Sequence, residues 1–310
     1  MNTFSKIYIL QSVKGVGIKT ISKIDPVTIE KLENVSDIET LLKKRFNTNH
    51  RIKMLSLEEL SQQEKEAQRI LSEDSRLGIK EITIYDSEYP EMLKKLDRPP
   101  VILYVLGETK SLYHKGIAVV GTRDASPLGE KIGKRFGSVI AAHGLSVISG
   151  LAHGCDTAAH IGCLDAQGVT IAIMPTPLNQ VYPKENADLA KRIIRENGCL
   201  LSEYPVGSKM QPHNLVDRDR LQCGLARGVI VVEAGLKGGT YHAVNGARKL
   251  KKAVGCFVYP DAHYKEYEQS LGNLKMIEDG IALPLHNADS VKSFICQCKT
   301  DRELTEMSLF

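Results

Sequence analysis

Apolar positions along this chain recur first at helical spacing and then in short β-branched runs, with the change falling after Gly78. Residues 1 to about 75 read as helical. "IYILQSVKGVGIKTISKI" is two apolar helical stretches broken at Gly15-Val16-Gly17. "SDIETLLKKRF" carries Ile38, Leu41 and Leu42 at helical spacing behind Ser36 as a cap. "SLEELSQQEKEAQRIL" is a polar amphipathic helix with only Leu57, Leu60, Ile70 and Leu71 to bury. Beyond Gly78, "KEITIYD" and "RPPVILYVLG" read as strands, with a short helix in "SEYPEMLKKL" between them. Strands and helices then alternate. "GIAVVG", "LSVISG", "VTIAIM", "CLLSEY", "GVIVVEA" and "AVGCFVYP" are the strands. Helices are expected over Pro127 to His143, Thr157 to Ala166, Asn186 to Asn197, Asp219 to Ala226 and Thr240 to Leu250. That rhythm predicts a parallel sheet covered on both faces. The stretch 286–310 reads as an appended helix and a frayed end. There is no internal repeat and no low-complexity tract.

Length and composition narrow the function classes. At 310 residues the chain has room for more than one folding unit. Hydrophobic content of 42% and charged content of 25% are ordinary for a soluble globular protein. The net charge is only +4, so any grip on nucleic acid has to come from local patches. Tryptophan is absent, which argues against extensive aromatic stacking. No apolar run reaches the ~18 residues of a membrane span, and "MNTFSKIYILQSVKG" has no small-residue cleavage site. Neither a membrane segment nor a signal peptide is expected. Seven scattered cysteines suit reduced thiols in a cytoplasm. Cys296 and Cys298 lack a second pair and read as unpaired thiols in a terminal helix, against the alternative of a zinc site.

The turns at the strand ends carry the candidate chemistry. In "GIAVVGTRDASPLGEKIGKRFG", a strand ends at Gly121, and Thr122, Arg123 and Ser126 lead into a helix opened by Pro127. Ligands of open α/β sheets bind beyond the carboxyl ends of the strands, where helix-start amides favour anions. An arginine and two hydroxyls there suit a phosphate; the alternative is a capped helix with a surface arginine. The turn is not the GxGxxG dinucleotide fingerprint, which argues against a hydride-transfer enzyme. Gly129, Gly133 and Gly137 recur every fourth residue, which points to close packing. In "VISGLAHGCDTAAH", Gly150 permits close backbone approach, Asp156 is read as a helix cap, and His160 as a satisfied core histidine; His153 and His160 make a weak metal pair. Lys184, Lys209, Arg218 and Arg220 lie in or beyond the next two turns, with Arg218 and Arg220 read as flanking a helix start. Each is a candidate phosphate contact or simply solvated surface charge. Gly238, Gly239 and Thr240 make a second small-residue turn into a helix.

Taken in order, "GTRDASPLG", "VISGLAHGCDTAAH", "TIAIMPTPLNQVYPKENADL", "GCLLSEYPVG", "DRDRLQCGLARGVIVVEA" and "GGTYHAVNGARK" resemble the DNA-processing protein A family, DprA or Smf, over about residues 5 to 285. The resemblance implies a small helical SAM-like domain over 1–75, an extended Rossmann-like core over 76–285 and a tail over 286–310. It implies a single-stranded DNA binder that forms a homodimer and loads the RecA recombinase in natural transformation, with no catalytic residue, no metal and no cofactor. Carried over, Arg123 and Ser126 touch phosphates and Gly150 lets the backbone approach. Lys184, Lys209, Arg218 and Arg220 complete a basic pocket, and Gly239 and Thr240 bind an anion at their helix start.

Three departures stand out. Asp219 replaces the asparagine of the family's Arg-Asn-Arg, the Ser-Gly-Ser turn is Gly238-Gly239-Thr240, and the chain ends before a C-terminal winged helix. These leave open a DprA-like partner in an anti-phage or toxin–antitoxin module. A nucleotide sensor or hydrolase of the wider superfamily that includes the LOG proteins is the other alternative, with Glu233 as its acid. "GVGIK" resembles a helix-hairpin-helix turn, or is a tight turn within the helical domain.

Overall fold

The computed structural model describes residues 1–46 and 52–300. They pack as two compact units: Met1–Leu106 with Pro177–Asn179 and Ser202–Ser208, and Gly107–Thr176 with Gln180–Leu201 and the chain from Lys209 onward.

The first unit holds α1 (Thr3–Ser12), α2 (Ile18–Ile21), α3 (Pro26–Glu30), α4 (Val35–Phe46), α5 (Leu57–Leu77), β1 (Ile79–Thr83), α6 (Glu91–Lys94) and β2 (Ile102–Gly107). β1 and β2 run antiparallel, with Ile79 opposite Leu106 and Thr83 opposite Ile102. Packing groups this strand pair with the helices. Asn34, and not Ser36, opens α4: its side chain accepts the N–H groups of Ser36 and Asp37 at 2.9 and 3.2 Å. Ser56 and Glu59 cap each other at the start of α5, and Gly78 ends it in the left-handed region at φ 72°. The buried face of α5 is Leu60, Ala67, Ile70 and Asp74. Leu57, expected inside, stays 43% exposed in the first turn. At Gly15–Lys19 the chain turns from α1 into the four-residue α2, Val16 is buried, and Lys19 pairs with Asp97 at 2.6 Å.

The second unit alternates strand and helix: β3 (Gly116–Val120), α7 (Pro127–Ala142), β4 (Ser146–Ser149), α8 (Cys155–Asp165), β5 (Thr170–Ile173), α9 (Ala187–Arg195), β6 (Cys199–Ser202), α10 (His213–Leu225), β7 (Gly228–Val231), α11 (Thr240–Lys249), β8 (Ala253–Phe257), α12 (Asp261–Glu266), α13 (Leu271–Glu278), β9 (Leu283–Leu285) and α14 (Ala288–Lys299). Its sheet is parallel, in the order β6-β5-β4-β3-β7-β8-β9. Strand order reverses at β3 and β7, so the Rossmann-like switch point lies between their carboxyl ends. Ile117, Val119, Val147, Ile230 and Val232 fill one side of the core with Phe136, Ile140, Phe294 and Ile295. The terminal helix α14 is thus part of this core and not an appendage; the frayed end expected at 301–310 lies outside the described residues.

The glycine stripe of α7 is a packing device. A Cβ on Gly133 would press on Ala158, and one on Gly137 would collide with the α8 backbone at Ala159 and Cys163. Two helices joined by one short strand approach closely because α7 carries no side chain where it meets α8. α10 begins at His213, behind Pro212 and well before Asp219, and the Asn214 side-chain amide in its first turn donates to the Pro175 carbonyl at 2.9 Å.

Candidate functional site

A cavity of about 500 Å³ opens at the switch point. The β3–α7 turn contributes Thr122, Arg123 and Asp124; the β7–α11 turn contributes Lys237, Gly238, Gly239 and Thr240; α10 contributes Leu215, Val216, Arg218, Asp219 and Gln222. The two turns are fastened to each other, since Thr122 N–H donates to the Glu233 carbonyl at 2.7 Å. Arg123 and Lys237 are exposed at the mouth. Gly239 precedes α11 and offers no side-chain cap, so the first N–H groups of a ten-residue helix lack a side-chain acceptor.

Behind this wall lies a buried polar hub. Glu233 is 0% exposed. Its carboxylate accepts Ser126 N–H at 2.7 Å, the Ser126 hydroxyl at 2.8 Å and His263 Nε2–H at 2.8 Å. Ser126 Oγ also caps α7 by accepting Gly129 N–H at 2.9 Å. His263 is stacked on Tyr259, with ring centroids 4.1 Å apart. One carboxylate therefore ties together the β3–α7 turn, the end of β7 and α12. Ser126 is no phosphate ligand on this geometry: it is 2% exposed and its hydroxyl is spent inside the protein. Nor is Glu233 placed to act as a hydrolase acid, because it is sealed and does not line the cavity.

The cavity floor is an ion cluster. Arg218 is 8% exposed; its Nε donates to Asp219 at 2.9 Å, and its Nη1 donates to the Gly150 carbonyl at 2.8 Å and lies 3.8 Å from Asp156. Asp156 is not the cap of α8. It turns back to accept Gly150 N–H at 3.0 Å and Ala152 N–H at 3.4 Å, which fixes the β4–α8 loop. A Cβ at Gly150 would overlap the Arg218 guanidinium, so the close approach this glycine permits is to the protein's own arginine. One cation faces two carboxylates. Burial raises the pKa of both: Asp156 moves up against the opposing pull of Arg218, and Asp219 is pushed up to about 6, with Asp156 adding to the effect. His160 is buried in the core as expected, 0% exposed with Nδ1 2.7 Å from Thr170 Oγ1, but it is only half satisfied, because Nε2 has no hydrogen-bond partner among the described residues; burial drives its pKa down to about 3.

Four of the anticipated residues thus line one cavity: Arg123, Arg218, Gly239 and Thr240. Arg218 and Arg220 do not flank a helix start, because both lie within α10. Residues two apart on a helix point to different faces, and Arg220 is outside the cavity lining. Lys184 and Lys209 are exposed on loops that leave the carboxyl ends of β5 and β6, also outside that lining. Lys237 and His242 are cavity residues to which pattern reading gave no role. Lys237 stands beside the very glycine pair that drew attention, which was the available signal. Among the described residues no group of three or more His, Cys, Asp or Glu side chains could hold a metal, and no helix is long and apolar enough to cross a membrane. Cys298 is buried and Cys296 exposed, so the C-x-C pair faces two ways.

The chain is similar to known proteins over most of its length. It is 34% identical over 219 residues to Protein Smf of Synechocystis, an alignment covering 68% of this chain and 53% of that protein. It is 39% identical over 157 residues to Protein Smf of Escherichia coli, covering 50% and 42%. The chain thus spans about half the length of these two curated relatives. DNA processing protein DprA of Bacillus subtilis is 31% identical over 236 residues, covering 75% of this chain and 77% of that one. Among solved structures, DprA from Streptococcus pneumoniae matches with a TM-score of 0.68 at 25% identity, covering 94% of this chain and 98% of that one. DNA processing protein A from Helicobacter pylori, which has a described single-stranded DNA binding mode, matches with a TM-score of 0.62 at 27% identity over 72% of this chain and 96% of that one. A family model for DNA recombination-mediator protein A matches residues 80–295, which takes in the switch point and every residue of its cavity, and the chain belongs to that family.

Proposed function

We propose that this chain binds single-stranded DNA along the carboxyl rim of its parallel sheet. The principal phosphate subsite is the mouth of the switch-point cavity. The observation that carries the reading is the meeting there of Arg123, Lys237 and the uncapped start of α11, three independent donors of positive potential on two adjoining turns. Family membership and the single-stranded DNA binding of the Helicobacter pylori relative support it. Gly239 and Thr240 present the helix-start amides. Lys184 and Lys209 extend the phosphate track past β5 and β6. Arg218, Gly150 and Ser126 frame the site and do not contact the strand, and Arg220 has no place in it. The protein then works in the cytoplasm as a homodimer that hands the strand to a RecA-type recombinase during uptake of transforming DNA.

Arg123→Glu should weaken binding of a labelled oligonucleotide at least about tenfold, and alike for every sequence, because a phosphate contact carries no base information. Fluorescence anisotropy measures this. Binding equal to that of the parent protein would remove the site. A recombinase-loading assay on a coated single strand tests the wider role, which fails if filament growth is unchanged by the protein.

A further inference from the structure

The switch-point cavity is polarised from mouth to floor. Its mouth is cationic on balance, with Arg123 and Lys237 against the single exposed carboxylate Asp124. Leu215, Val216 and Ala243 give it apolar sides. Its floor presents carboxyl oxygens, because Arg218 lies between Asp156 and Asp219, with His242 also in the lining and acting on Asp219. Within that floor Asp219 is only 7% exposed, and its Oδ1 is engaged by Arg218. With its amide nitrogen turned to face Asp219, Gln222 donates to the same Oδ1 at 3.1 Å. Asp219 Oδ2 accepts no hydrogen bond among the described residues, and it is not among the fully sealed polar atoms. A buried carboxylate with one free, accessible oxygen on a cavity wall is an unfilled acceptor site.

We infer that Asp219 reads the base of the nucleotide held in this cavity, favouring bases that present an exocyclic amino group over thymine. The inference rests on the single-stranded DNA reading of the same site and adds to it a selectivity that the phosphate contacts lack. A nucleotide enters with its phosphate at the mouth and its ring between the apolar sides. Cytosine offers its N4 amino hydrogens to the free oxygen, and adenine offers N6. Thymine offers the O4 lone pairs at the corresponding place, and its N3–H is flanked by carbonyls, so it meets the carboxylate with repulsion. The chemistry is that of a nucleotide unit with an anionic end and a donor end, matched to a cavity with a cationic mouth and an acceptor floor.

The test compares short oligo-dC and oligo-dT, both single-stranded pyrimidine chains, on the parent protein near pH 8. The expected result is on the order of tenfold tighter binding of oligo-dC. Asp219→Asn, whose amide can donate to thymine O4, should abolish or reverse the preference, with its melting curve checked against the parent. Equal affinity of the parent protein for the two oligonucleotides overturns the base reading while leaving the phosphate site intact. A preference that survives Asp219→Asn also overturns it. Failure to bind either oligonucleotide removes the underlying function, and the inference with it.

Discussion

Asp74 in the first unit and Glu233 in the second are both 0% exposed, yet their surroundings are opposite in kind. Glu233 accepts three hydrogen bonds, from Ser126 and His263, residues 107 and 30 positions away in the chain. Asp74 has no donor on either oxygen, and it faces Glu81, whose Oε1 is likewise buried without one. Burial, with Glu81 beside it, pushes Asp74 up to about 8. The contrast shows two ways to keep a carboxyl group inside a protein. One holds the ion by converging donors from distant segments, which fixes the tertiary arrangement of the turn bearing Arg123. The other holds the neutral acid by a proton shared with a neighbour, which fixes nothing beyond α5 and β1.

The sharpest way to break this comparison is Glu233→Ala. It strands the Ser126 N–H, the Ser126 hydroxyl and the His263 imidazole in a sealed space, and should lower unfolding stability by about 3–5 kcal/mol, as when one member of a buried pair is removed. Urea unfolding followed by circular dichroism reads it. A loss below about 1 kcal/mol would mean the hub is not what holds the turn. The same kind of truncation in the first unit should act with the opposite sign. An unfolded aspartate titrates near pH 4, whereas Asp74 holds its proton to about 8. Between those values the folded chain binds the extra proton, so stability falls as pH rises, by up to about 1.4 kcal/mol per pH unit, and levels off above the folded value. Asp74→Asn should remove that slope and exceed the parent in stability at the alkaline end. Glu81, Glu73, Arg69 and Tyr104 are the charged or titratable groups that act on it, and they remain in the variant. Parallel stability curves for the two proteins would refute the shared-proton account.

This contrast also marks what the sequence makes legible. The strands from β3 to β8 and the start of α7 at Pro127 could be read because each is written in a contiguous run or a local cap. Ser126 could be read as a residue at a helix start, but its partner Glu233 could not, because nothing local relates positions so far apart. Arg218 and Arg220 looked like a pair at a rim. They separate because α10 begins at His213, earlier than the apolar pattern suggests, so both lie inside it. Asp156 had the chemistry of a cap, but the chain folds back and spends it on Gly150 and Ala152. β9 contains only Leu283, Pro284 and Leu285, too few positions to show an alternation.

Gly150→Ala probes the ion cluster of the second unit at intermediate cost. The new methyl group would displace the Arg218 guanidinium from the Gly150 carbonyl and disturb its pairing with Asp219. Overpacking of this kind costs about 1–3 kcal/mol, measurable as a lowered unfolding midpoint. A neutral result would show that Arg218 has a second resting place as good as the first.

The smallest effects on stability, and the most informative for function, come from the exposed lysines. Lys237 lines the cavity and Lys184 does not, and both are exposed. Neither Lys237→Glu nor Lys184→Glu should change unfolding stability by more than about 0.5 kcal/mol. Their effects on DNA should differ. Removing one phosphate contact lowers the slope of log affinity against log salt by roughly 0.7 for a single strand. Lys237→Glu should show at least that change, because it also places a negative charge beside the start of α11. Lys184→Glu, farther along the track, should show a smaller one. Anisotropy titrations across a salt series give both slopes. A larger change for Lys184→Glu would move the centre of the interface from the β3–β7 switch point toward β5, and the cavity would then be a side pocket of the binding path.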